Sequence, residues 1–93
     1  MILGTMELDL FLPGAASLKD KRMILKSYKA KIRNQFNVSV AEVGYQDKWQ
    51  RSALAIAVVA NERRFVDEVL SSVSNFIEKD GRVEITRQEI EIF

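Results

Sequence analysis

The chain has 93 residues, 47% of them hydrophobic and 29% charged, a balance expected of one folded domain spanning residues 1–93. It contains neither cysteine nor histidine, which excludes disulfides, thiolate metal sites, thiol nucleophiles and the usual general base near neutral pH. The net charge is only +1, but between Leu18 and Asn34 seven cations meet Asp20 alone, a local +6 that leaves −5 on the remainder.

The first residues, Met1 to Glu7, lack a basic segment, and Glu7 and Asp9 interrupt the apolar run, so they do not read as a signal peptide. No apolar stretch approaches membrane-spanning length, and a cytoplasmic location without membrane contact is expected. From Ile2 to Leu12 the residues alternate. Ile2, Met6, Leu8, Leu10 and Leu12 share one face and Thr5, Glu7 and Asp9 the other, the pattern of a half-buried strand. Pro13-Gly14 ends it.

Ser17 is placed to cap the first helix by accepting from the N–H near Asp20, while Asp20 reaches back in a short capping box. Leu18, Ile24, Leu25, Tyr28 and Ile32 form its apolar stripe. Phe36 to Tyr45 reads as a second strand, and Gly44 to Lys48 as a hairpin connection. A third strand opens at Trp49 or Gln50 and runs to Ala60, apolar throughout its middle. Asn61 is the expected cap of a second helix over Glu62 to Lys79. Phe65, Val66, Val69, Leu70, Val73, Phe76 and Ile77 form its stripe, and Gly81 its stop. In the last strand the apolar phase of Val83 and Ile85 shifts at Ile90 and Ile92, which predicts one bulged residue between Thr86 and Glu89. The order strand, helix, strand, strand, helix, strand with right-handed crossovers predicts an α+β, ferredoxin-like βαββαβ sandwich. Its four-stranded antiparallel sheet carries both helices on one face.

At about 100° per residue, the cations of the first helix are not scattered. With Leu25 as zero, Lys29, Arg22, Arg33, Lys26 and Lys19 fall between about 40° and 120° on one flank, with no acid among them. Like charges at this spacing oppose helix formation, and Lys19, Lys21 and Arg22 oppose the dipole as well. Lys and Arg rows of this kind neutralise phosphates, so Lys19, Lys21, Arg22, Lys26, Lys29 and Arg33 are the candidate nucleic-acid-binding residues. The plainer reading is a solvated flank whose long stems cover apolar rims. Lys21 stands apart, about 40° from Leu25 beside the apolar arc, where a snorkelling lysine is the plainer reading. Taken together, Lys19, Lys21 and Arg22 point to contact with an anion or with a carboxylate elsewhere in the fold, Glu42 being one candidate.

Tyr45, Lys48, Trp49 and Arg51 offer a second, aromatic and basic contact patch, or else a hairpin plug against the sheet end. The carboxylates Glu7 and Asp9 share a strand face without a third ligand placed beside them, and no metal or cofactor is expected. The third strand carries aliphatic residues where RNA-recognition domains stack bases. Its open side (Ala53, Ala55, Ala57, Val59) suggests a face covered by a docked loop or a second copy. No glycine-rich phosphate loop is present, and no small-molecule substrate is evident.

Ser17-Leu18-Lys19-Asp20-Lys21-Arg22, Phe36-Asn37-Val38-Ser39-Val40-Ala41-Glu42-Val43 and Asp47-Lys48-Trp49-Gln50-Arg51 resemble the YlxP-like family of small bacterial proteins, along essentially the whole chain. The resemblance implies a ferredoxin-like fold, with no established enzymatic activity and no agreed catalytic residues to carry over. Because genes of the family often adjoin those of translation and ribosome-maturation factors, it also implies a role in ribosome assembly or RNA metabolism. A non-catalytic module meeting ribosomal RNA or a ribosomal subunit through the first helix is therefore expected. The alternative is a protein–protein adaptor or homodimer using the open sheet face.

Overall fold

In the computed structural model, which describes residues 1–93, alternation carries β1 (Ile2–Phe11) as expected. Gly4, Met6, Leu8 and Leu10 point into the core, and Thr5, Glu7 and Asp9 point away from it. The other elements are α1 (Leu18–Gln35), β2 (Ser39–Gly44), β3 (Arg51–Ala60), α2 (Arg63–Asp80) and β4 (Glu84–Ile92). The strands pair antiparallel in the order β2-β3-β1-β4, and both helices cover one face. This is the ferredoxin-like βαββαβ sandwich.

The core lies between the layers, where Met6, Leu8, Leu54, Ile56 and Val58 meet Leu25, Tyr28 and Ile32 of α1 and Val66, Leu70, Val73 and Ile77 of α2. Gly4 lets α2 approach β1: a Cβ there would collide with Val66 Cγ1 and press on Leu70 Cδ1. On β4, Arg87 pairs with Asp9 and Ile85 with Leu10, so Thr86 is the bulged residue. Its hydroxyl donates to the Asp9 carbonyl at 3.2 Å.

Some boundaries differ from expectation. Phe36 is the C-cap of α1, its N–H bonding to the Ile32 carbonyl, so β2 begins only at Ser39. Trp49 and Gln50 stay in the hairpin loop, ahead of β3. Glu62, not Asn61, occupies the N-cap of α2 and makes no side-chain cap bond. Phe65 leaves the predicted stripe for the surface, because the buried track of α2 runs through Val66, Leu70, Val73 and Ile77. Gly81 ends α2 in the left-handed conformation, φ 80°. No helix is long and apolar enough to cross a membrane.

Candidate nucleic-acid interface

The cap of α1 forms as its residue types dictate. Ser17 Oγ accepts from the Asp20 N–H at 3.1 Å, and Asp20 Oδ2 accepts from the Ala16 N–H at 3.0 Å. This fixes the first turn and, with it, the direction of the next three cations.

Lys19 and Arg22 point to solvent, but Lys21 does not. It is 1% exposed, with Nζ 2.9 Å from Glu42 Oε2 and donating to the Tyr45 carbonyl. Glu42 also accepts from Ser52 Oγ at 2.8 Å, so the buried ammonium and the half-buried carboxylate are paired and hydrogen-bonded. Lys21 is thereby removed from the candidate phosphate contacts: it sits under the helix, and its charge is matched by Glu42. The Tyr45 carbonyl that it grips also accepts from the Lys48 N–H at 3.0 Å, closing the hairpin turn. Tyr45 holds φ 58°, a left-handed conformation costly for a bulky residue, and two bonds to its carbonyl hold it there.

The β1–α1 loop joins the same end. The Leu12 N–H donates to the Gln50 carbonyl at 2.8 Å, and Gln50 Nε2 donates to the Pro13 carbonyl at 3.2 Å. The start of α1 and the β2–β3 hairpin are therefore one connected structure.

The remaining flank is exposed and unneutralised. Lys19, Arg22, Lys26 and Arg33 are exposed and Lys29 is half-buried. None of the five has a carboxylate within 4.0 Å, and every salt bridge in the chain lies elsewhere. Arg33 Nη2 donates to the Val40 carbonyl at 3.0 Å, which orients the guanidinium without cancelling its charge.

At the hairpin, Trp49 is 55% exposed and plugs nothing. The Arg51 guanidinium lies over the Tyr45 ring, 4.5 Å from its centroid, and Nη2 donates to the Tyr45 hydroxyl at 3.4 Å. Asp47, Lys48, Trp49, Gln50 and Arg51 line a shallow open hollow.

A clasp not foreseen in the sequence ties the middle of α1 to the end of α2. Tyr28 donates its hydroxyl proton to Asp80 Oδ1 at 2.8 Å. Arg82 binds both Asp80 oxygens, Nε at 2.6 Å and Nη2 at 3.2 Å, and lies over the Tyr28 ring at 4.8 Å. The Arg82 hydrogen bond pulls the Asp80 carboxyl down to about 2, against the opposing effect of burial. Burial, with the bond to Asp80, pushes the Tyr28 hydroxyl up to about 12. Tyr28 and Asp80 lie fifty-two residues apart, so no local spacing announces the contact.

The open sheet face divides in two. Thr5, Ser39, Ala41, Ala55 and Ala57 frame a shallow, mostly apolar hollow of about 230 Å³, and neighbouring Ala53 is buried outright. On the β1–β4 side, Glu7 lies opposite Glu89 and Thr5 opposite Glu91, an acidic band relieved only by Arg87, which bonds Glu89 at 2.9 Å.

Fold and surface together define a ferredoxin-like sandwich with a basic helix on one side and an acidic sheet face on the other. The chain belongs to the family described as Protein of unknown function (DUF503), whose model matches residues 3–90. Over 90 residues it is 40% identical to "Uncharacterized protein YlxP" of Bacillus subtilis (strain 168), covering 95% of this chain and 98% of that one. Among solved structures, a de novo designed protein with ferredoxin fold is similar over 100% of this chain and 84% of its own, with TM-score 0.58 and 16% identity. SnoaB, a cofactor-independent oxygenase from Streptomyces nogalater, is similar over 98% of this chain and 90% of its own, with TM-score 0.53 and 9% identity. At these identities the structural likenesses show the fold alone.

Proposed function

We propose that the protein is a non-catalytic, RNA- or ribosome-associated binding module whose phosphate-contacting surface is the basic flank of α1. One observation carries this reading: five cations on one helix flank, Lys19, Arg22, Lys26, Lys29 and Arg33, have no carboxylate partner, although the chain holds thirteen acidic residues. Their mutual repulsion is a standing cost to the helix. A polyanion removes that cost and gains counterion release. The gene context of the YlxP-like family points toward ribosomal RNA or a ribosomal subunit as that polyanion, inside the cytoplasm.

Changing Arg22, Lys26, Lys29 and Arg33 together to Gln abolishes binding to ribosomal RNA in a filter or anisotropy assay. With five contacts, log K for the unaltered protein falls with log salt at a slope of about −3.5 to −4.5. A salt-insensitive affinity, or no binding at low salt, overturns the reading. A second reading, a protein–protein adaptor or homodimer, is favoured by the small-residue half of the open face around Ala41, Ala55 and Ala57. Light scattering that finds a strict monomer at micromolar concentration removes the homodimer.

A further inference from the structure

The β2–β3 hairpin is built with more care than a simple connection needs. A buried lysine from α1 grips its turn, Lys21 donating to the Tyr45 carbonyl and pairing with Glu42. An unfavourable φ at Tyr45 is maintained by that grip. The stack of Arg51 on the Tyr45 ring fixes a guanidinium at the rim and uses up one aromatic face. What the hairpin leaves free is the indole of Trp49, 55% exposed between Lys48 and Arg51, with Asp47 the one acid lining the same hollow. An exposed indole flanked by cations on a rigid support matches what unpaired nucleotides require: a flat π surface for a base and positive charge for the phosphates on either side. The hairpin is also tied to the first turns of α1 through Lys21, and to the β1–α1 loop through Gln50. The acidic band of the open sheet face lies away from it on the β1–β4 side.

We propose that Trp49 is a base-stacking site. One unpaired nucleobase lies on the indole, with its flanking phosphates on Lys48 and Arg51, and the backbone continues along the flank of α1. This rests on the reading of α1 as a phosphate surface and adds a strandedness preference to it: single-stranded or looped RNA over duplex of the same length. The indole face supplies no pattern of donors and acceptors, so selectivity among bases is weak.

Trp49 is the only tryptophan, so its fluorescence reports on the site directly. The test titrates the full chain with a single-stranded oligouridylate of about ten nucleotides and, separately, with an RNA duplex of the same length. Fluorescence and anisotropy of labelled RNA are followed together. Stacking quenches the indole with the single strand and not with the duplex. Trp49→Ala weakens single-strand binding roughly 5- to 150-fold and leaves duplex binding and the salt slope unchanged, since no charge is lost. Trp49→Phe keeps an aromatic face and restores most of the affinity. Unchanged far-UV circular dichroism shows that the variants fold. Single-strand binding without quenching and without loss in Trp49→Ala overturns the stacking site while leaving the α1 flank standing. Quenching and binding that survive in the four-fold glutamine variant of α1 overturn the flank and not Trp49. No binding of either RNA overturns both.

Discussion

Lys21 is the residue where charge, burial and sequence position are most tightly linked. A lysine at the fourth position of a helix is poorly placed for the dipole, and one buried at 1% exposure is costly unless paired. Its compensation is complete: Glu42 for the charge, the Tyr45 carbonyl for a further hydrogen, and Ser52 on the carboxylate. Breaking one side is therefore expensive and removing both is not. Lys21→Met leaves Glu42 without a counter-charge and should lower the unfolding free energy by about 3–5 kcal/mol in urea titrations. Adding Glu42→Gln to Lys21→Met should recover at least about 1 kcal/mol of this, because the amide has no charge to strand. Strictly additive losses would mean that the two side chains do not act as a pair. The same residue shows how far a single sequence can be read. Its angle, about 40° from Leu25, places it beside the core. Only the fold brings Tyr45 over it, so the angle alone cannot separate a snorkelling cation, a phosphate ligand and a buried clamp.

At the scale of elements, the strongly periodic segments were legible because burial itself writes the period. The two-residue alternation of β1, the stripe of α1 and the phase slip that marks Thr86 all record which face meets the core. Boundaries were less legible where two signals compete. Phe36 has the side chain of a strand residue, yet its N–H is captured by the Ile32 carbonyl at the end of α1. Asn61 is the better capping residue by type, but the helix begins one residue later and leaves its cap to Glu62. The clasp at the end of α2 was not legible at all, since it joins Tyr28 to Asp80 and Arg82 across the fold. Its pH dependence has a definite sign on each side. Asp80 titrates near 2 when folded against an ordinary 3.8, so its contribution is complete above about pH 4 and is lost as pH falls through about 2. That contribution is on the order of 2 kcal/mol. Tyr28, held near 12 against an ordinary 10, contributes fully below pH 10 and loses that contribution as pH rises toward 12. Urea midpoints across pH should fall at both ends. Asp80→Asn should flatten the acid limb, and in a Tyr45→Phe background the remaining tyrosinate absorbance should rise only near pH 12.

Across the whole molecule, the two layers carry opposite charge. The +6 of the first-helix segment lies on the helical side, while Glu7, Glu89 and Glu91 project from the opposite sheet face. The thinnest dimension of the chain is 17 Å. A charge pair across that distance in water is worth only about 0.2 kcal/mol before screening. Three carboxylates acting on about five phosphates held at α1 nevertheless sum to a measurable repulsion, provided that salt does not remove it. The Debye length decides the outcome, being about 30 Å at 0.01 M and about 8 Å at 0.15 M. Glu7→Gln, Glu89→Gln and Glu91→Gln made together should therefore tighten RNA binding about ten-fold at 0.01 M salt and by about two-fold or less at 0.15 M. Anisotropy titrations at the two ionic strengths measure this. An equal gain at both would place the RNA in contact with the acidic band, on the sheet side, and would move the phosphate surface away from α1.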